Sequence, residues 1–242
     1  MKALCYLLFF IPFLFTLSCK KDTPLPQPKV NELQLSIQYN IDNVSYVTNI
    51  NKYINQAGNH FSISRVSYYL SQIKLIKSDN SSVLVKEYQY VDADNTSSNK
   101  LIFNSIPIGD YIGIKFNIGL DSLHNISDAL PTTMENINMA WPQMMGGGYH
   151  FLKMEGNFLD SLGQSFGYAM HLGTNVCLIP IMLNKKFTVS ADSKLSFNLV
   201  MNINEWYKNP NIFDFNKDGN YIMGNMMLMK KITENGIDVF TL

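Results

Sequence analysis

Two histidines, a tryptophan and a run of methionines lie close together in the middle of this chain. Met139-Ala140-Trp141-Pro142-Gln143-Met144-Met145 leads through Gly146-Gly147-Gly148 into Tyr149-His150-Phe151, and Met170-His171-Leu172-Gly173 follows about twenty residues later. The stretch holds two of the four histidines, one of the two tryptophans and five of the thirteen methionines. Imidazole and thioether are ligands that soft and borderline metals prefer, copper above all. A metal site is therefore the first chemistry to weigh, with His150, His171, Trp141, Met144 and Met145 as candidate residues. Donors of this softness favour Cu(I) over magnesium or calcium.

The elements that must position these side chains read as a β-hairpin. Residues 149–158 and 165–172 are rich in Phe, Tyr, Met and Leu, and residues 159–164 between them carry Asp160, Ser161 and Gly163 as turn formers. A turn centred near residue 161 sets His150 opposite His171, with Cβ atoms about 5 Å apart, a workable bite for two imidazoles on one ion. A slip of one residue sends the rings to opposite faces. Two histidines on a hairpin also serve as ordinary hydrogen-bonded core or surface residues, and residue types alone leave both readings open. The three glycines are equally two-sided: they bring backbone close to a ligand, or they turn the chain before a strand. They are no phosphate loop, since no Gly-Lys-Ser/Thr follows and a strand comes next instead of a helix.

The chain begins with export signals. Lys2 supplies a positive start, residues 7–17 are apolar, and Thr16-Leu17-Ser18-Cys19 looks like a relaxed lipobox. Residues 1–18 then form a lipoprotein signal peptide, and Cys19 becomes the lipidated N-terminus. Residues 19–31, with Pro24, Pro26 and Pro28, form an extended tether. A plain signal peptide cleaved elsewhere is the alternative. No second apolar run approaches the roughly 20 residues of a membrane helix, so the chain is expected to be anchored, not spanning. Of three cysteines, Cys5 leaves with the signal and Cys19 takes lipid, which leaves Cys177 without a disulfide partner. Flanked by Val176 and Leu178, it reads as a small core residue.

Lysine plus arginine equals aspartate plus glutamate at 19 each, so nothing pulls the chain toward nucleic acid. Residues 32–242 form one domain. Leu33, Leu35, Ile37 and Tyr39 alternate with polar neighbours, the mark of a half-buried strand. Residues 44–50, 61–66, 68–76, 83–91, 111–120, 176–183, 186–189 and 195–203 extend the pattern to about ten strands. That predicts an all-β fold, an antiparallel β-sandwich with a long functional loop at residues 121–148 and a short C-terminal helix. The helix is expected over 221–231, its methionines Met223, Met226 and Met227 packing into the core. Asp214-Phe215-Asn216-Lys217-Asp218-Gly219 matches the start of a calcium loop, but Asn225 stands where the bidentate glutamate is required. The segment reads as a polar, helix-capping turn.

At Asn117-Ile118-Gly119-Leu120-Asp121, Met139-Ala140-Trp141-Pro142, residues 148–156, His171-Leu172-Gly173 and residues 235–240, the chain resembles the MbnP-like copper-binding family. The resemblance spans residues 32–242. It implies a copper protein of the periplasm or outer membrane, with a MauG-like di-haem enzyme and an outer-membrane receptor as partners. It also implies His150 and His171 as imidazole ligands, and Trp141 as the tryptophan oxidised to kynurenine in the characterised branch. Many members carry Trp-x-Trp here. In this chain Pro142-Gln143-Met144 follows a single tryptophan, and Met144 and Met145 offer thioethers instead.

The resulting expectation is an outer-membrane lipoprotein, facing periplasm or surface, that binds copper for acquisition, storage or delivery and is not an enzyme. No Ser-His-Asp set, paired carboxylates or nucleotide loop argues for catalysis. The alternative is a surface module that binds glycan or protein partners, for which 13 tyrosines and 15 phenylalanines provide material. A copper redox enzyme is a third reading.

Overall fold

A computed structural model describes residues 30–242. The signal peptide, Cys19 and the tether up to residue 29 lie outside the described residues. Two sheets stack into a sandwich whose long strands are β1 (Glu32–Ile41), β5 (Arg65–Lys77), β6 (Ser82–Asp92), β8 (Gly109–Ile118), β9 (His150–Leu159), β10 (Ser165–Gly173), β11 (Ile179–Val189) and β12 (Lys194–Asn202). Shorter pieces complete the count: β2 (Val44–Ser45), β3 (Tyr53–Ile54), β4 (His60–Phe61), β7 (Lys100–Asn104) and β13 (Phe240–Thr241). The smaller sheet runs β13-β12-β1-β2 with β7 also on β1. The larger runs β11-β8-β5-β9-β4-β3, with β6 on β5 and β10 on β9.

Alternation explains the strands. In β1 the side chains of Leu33, Leu35 and Ile37 are buried and those between them are half-exposed. β5 is different: ten of its residues from Val66 to Leu75 are almost continuously buried, as a central strand requires. It pairs β6 along one edge and, along the other, first β9 and then β8. Aromatic rings close the sandwich, with Phe240 on both Phe116 (5.3 Å) and Tyr68 (6.2 Å), and Phe187 against Phe197 (5.2 Å).

Three expectations need correction. One pair is parallel: β1 and β12 run side by side with Leu33 beside Leu195 and Tyr39 beside Met201. Strands so distant in sequence are joined by a long excursion and escape the antiparallel geometry a hairpin imposes. β7 is a further strand, short because only Leu101 and Phe103 face inward. The C-terminal helix begins later than expected. Tyr221 is bridged to Ala169, Gly224 takes a positive φ of 81°, and Asn225 caps the helix by accepting from the Leu228 amide. The helix spans Met226–Asn235 and buries Leu228, Met229 and Ile232, which leaves Met226 and Met227 facing solvent. They are not core.

Asp214 caps a short helical turn, Phe215–Asp218, and its neighbours pair with lysines: Lys217 with Asp214, Lys231 with Asp218. The segment is the polar cap its sequence suggests. Cys177 is free and buried. No helix among the described residues is long and apolar enough to cross a membrane.

Candidate metal centre

β9 is the platform. It lies between β5 and β10, with Glu155 opposite Arg65 and Ser67 opposite Lys153 on the β5 side. On the β10 side the ladder opposes Lys153 to His171, not His150 to His171. The turn is centred one residue later than expected, because Asp160 collects the amides of Leu162 and Gln164 on one carboxylate oxygen. In that register alternation alone would send His150 to the opposite face from His171.

A bulge restores the pair. Leu172 opposes Leu152, but the next residue, Gly173, opposes His150, so Phe151 is the extra residue. The side-chain alternation is reset at that step, and His150 turns to the His171 face. Phe151 is held there by packing: its fully buried ring lies where a Cβ on Gly119 would come within 2.3 Å of it. Only glycine at 119, with its φ of 107°, leaves that space.

The result is a cluster of three rings. His150 and His171 stand perpendicular with centroids 5.1 Å apart, and Trp141 meets His150 edge-on at 4.8 Å. Trp141 also lies flat over Gly173, where a Cβ would sit 2.3 Å from its ring. Trp141 is buried, only 4% exposed, closed in by the loop that carries it. Its indole NH donates to the Met145 carbonyl at 3.1 Å. Trp206 packs wholly in the interior.

Each imidazole has one nitrogen committed. The His150 amide (2.6 Å) and its Nδ1 (3.1 Å) both address the Met139 carbonyl. A carbonyl only accepts, so Nδ1 carries the proton and, in the neutral ring, Nε2 carries the lone pair. His171 Nε2 lies 2.8 Å from Glu155, which is itself paired with Arg65 at 3.5 Å. With that proton on Nε2, Nδ1 of His171 is the free nitrogen. A backbone carbonyl and a carboxylate behind two imidazoles form the outer-shell arrangement that fixes tautomer and ring direction in metal sites.

Electrostatics agree with a neutral ring at His150. Burial, then the charge of Lys153, lowers the pKa of His150 to about 3. The hydrogen bond from His171 is the main cause holding the Glu155 carboxyl below its ordinary range. Lys153 is itself pushed down by burial and donates to the Asn138 carbonyl.

Glu155, Lys153 and the Met139 carbonyl are absent from the sequence expectation. The two side chains sit three and five positions beyond His150 on the same strand, a signal visible only when the bulge is known. Met144, by contrast, is fully exposed and not brought to the rings. Met145 is half-buried and leans on Gly224. The three glycines turn the chain with φ values of 106°, 68° and 85°. Gly147 and Gly148 back directly onto Ser127, Gln143 and Asn125, so their close approach is to protein.

Among the described residues no three His, Cys, Asp or Glu side chains converge on one point. Structural zinc needs about four such ligands and calcium at least six oxygens. A pair of imidazoles fits Cu(I), a d10 ion content with two or three donors.

A family model, MbnP, matches residues 30–227. The chain belongs to the MbnP family. Among solved structures, MbnP from Methylosinus trichosporium shares the fold, with a TM-score of 0.51 over 76% of this chain and 80% of that one. The identity is 10%, so the likeness is one of fold. No curated protein matches the chain in sequence. Within the MbnP fold of this chain, the two histidines of the ring cluster lie on the hairpin of β9 and β10, and Trp141 on the loop that leads into it.

Proposed function

We propose that this member of the MbnP family is a copper-binding lipoprotein of the cell envelope that acquires, stores or delivers copper. His150 and His171 hold Cu(I) between them. The observation that carries this reading is the pair of facing imidazoles whose rear nitrogens are occupied by the Met139 carbonyl and Glu155. When bound, the ion supplies soft Lewis acidity and reversible one-electron chemistry. The residues' own part is to present two lone pairs, keep His150 neutral and cover the site with Trp141. Trp141 is the third group of the centre, as the indole or as its oxidised product formed by a di-haem partner enzyme. Metal analysis of protein prepared with copper tests the proposal: about one copper per chain is expected, and none overturns it.

Cys19 anchors the protein through lipid, with an outer-membrane receptor as a further partner. The bacterial modification adds two or three acyl chains, enough for stable attachment. Cys19→Ala should move the protein from membrane to soluble fractions, and a soluble wild type would refute the anchor. The alternative of a glycan- or protein-binding module draws little support. Its aromatic side chains are mostly core, including Tyr53, Phe61, Tyr68, Tyr69 and Phe213.

A further inference from the structure

Four methionines lie on two segments that flank the ring cluster: Met145 in the loop that carries Trp141, and Met223, Met226 and Met227 just past the residues bridged to β10. Met227 is 75% exposed and Met226 50%, and both stand in the first turn of the C-terminal helix. Met223 precedes them, half-buried against the core. Met145 comes to the same place from the other side. Its methyl lies 3.0 Å from where a Cβ on Gly224 would be, between Met223 and the helix start. Leaving large apolar side chains in water forgoes about 1.5–3 kcal/mol each that burial would supply. Packing is therefore not what keeps Met226 and Met227 here.

Two contacts tie this patch to the rings. The backbone carbonyl of Met145 accepts the indole NH of Trp141, which touches His150. Residues 220–222 run parallel to β10: the Ala169 amide donates to the Asn220 carbonyl at 2.8 Å, and the Ile222 amide to the Ala169 carbonyl at 3.4 Å. Because the bridge is parallel, Met223 and Gly224 continue in the direction of His171 and Gly173. Thioethers select Cu(I) and its heavier analogue Ag(I) over hard cations, and methionine's flexible stem lets several sulfurs converge on one ion.

We propose that Met145, Met223, Met226 and Met227 form a second, shallow site for a soft monovalent cation, through which Cu(I) reaches or leaves the histidine pair. The passage of copper rests on the function proposed above; the thioether site does not. The test is methyl NMR of methionine-labelled protein titrated with Ag(I), which is redox-inert. In the double variant His150→Ala/His171→Ala, the methyl signals of Met145, Met223, Met226 and Met227 should still move. Those of buried Met154, Met170 and Met201, and of exposed Met182 on β11, should not. Absence of shifts in the four, or equal shifts at Met182, overturns the thioether site whatever the histidines do. Conversely, Met145→Leu/Met223→Leu/Met226→Leu in the presence of both histidines should keep the first equivalent of Ag(I) and lose the second. Leucine is close to methionine in volume, so folding should survive. Retention of both equivalents would again overturn the site.

Discussion

His150 and His171 face each other, 5.1 Å between ring centroids, although neither opposes the other in the ladder. One bulged residue, Phe151, makes the difference, and it tells which substitutions should matter.

The histidine pair comes first. His150→Ala and His171→Ala should each abolish tight copper binding, measured as copper per chain after removal of loose metal. His60→Ala and His124→Ala should retain it. His60 is exposed, and His124 is engaged with Asp121 at 2.9 Å. Equal retention in all four variants would sink the assignment.

Glu155 acts through His171. Glu155→Gln replaces a carboxylate acceptor with an amide and weakens the hold on the ring. Losses of about 10- to 100-fold in affinity are usual for such partners. Chelator competition reads this directly, and an unchanged affinity would mean that the 2.8 Å contact plays no part in the site.

Acid should unfold the metal-free protein through His150. Unfolded chain protonates the ring near 6.5, whereas burial and Lys153 hold it at about 3 in the fold. Above about 6.5 neither state binds the proton and the full stability is present. Below it the unfolded state binds a proton that the folded state refuses, so stability is lost progressively down to about pH 3. Urea midpoints of wild type should fall more steeply below pH 6.5 than those of His150→Gln. Parallel curves would count against a buried neutral ring.

Gly173 makes room for Trp141. In Gly173→Ala the new Cβ comes 2.3 Å from the indole, which has to move. Overpacking of this kind costs about 1–3 kcal/mol in unfolding free energy. Copper affinity should drop with it. A variant that loses stability but binds copper as before would place Trp141 outside the centre.

Trp141, and not Trp206, should be the residue oxidised when a di-haem partner is co-expressed. Trp141 borders a cavity of 170 Å³ with Ser127, Leu130 and Tyr149, while Trp206 packs in the core. Conversion to kynurenine is a net gain of one oxygen and loss of one carbon, since two oxygens enter and the formyl carbon leaves with one of them, making the peptide about 4 Da heavier. Peptide mass spectrometry decides, and modification at Trp206 instead would reverse the assignment.

Much of this could be read from residue order alone. Period-two alternation in β1, the turn formers at Asp160 to Gly163 and the lone Cys177 all report local or compositional facts, and each is physically sufficient for what it implies. Alternation demands a half-buried strand whatever it packs on. The MbnP resemblance likewise rests on short blocks of residues, and the family is the one the matched region shows. Candidate residues were legible by type: a soft ligand set is a matter of side-chain chemistry.

What tertiary structure alone decided is register, direction and tautomer. The ladder of β9 and β10 answers to β5 on the other side of β9 and to hydrogen bonds inside the Asp160 turn, neither visible in the hairpin's own pattern. The bulge depends on Phe151 meeting Gly119, a residue of a different strand end, and without it the two imidazoles would part to opposite faces. Which nitrogen of each ring is free depends on Met139 and Glu155, whose positions follow from that same bulge. Met226 and Met227 face water because Gly224 and Asn225 delay the helix, a matter of backbone geometry and capping that hydrophobicity could not foretell. Side-chain type sets what chemistry is possible, but only long-range packing aims the atoms that perform it.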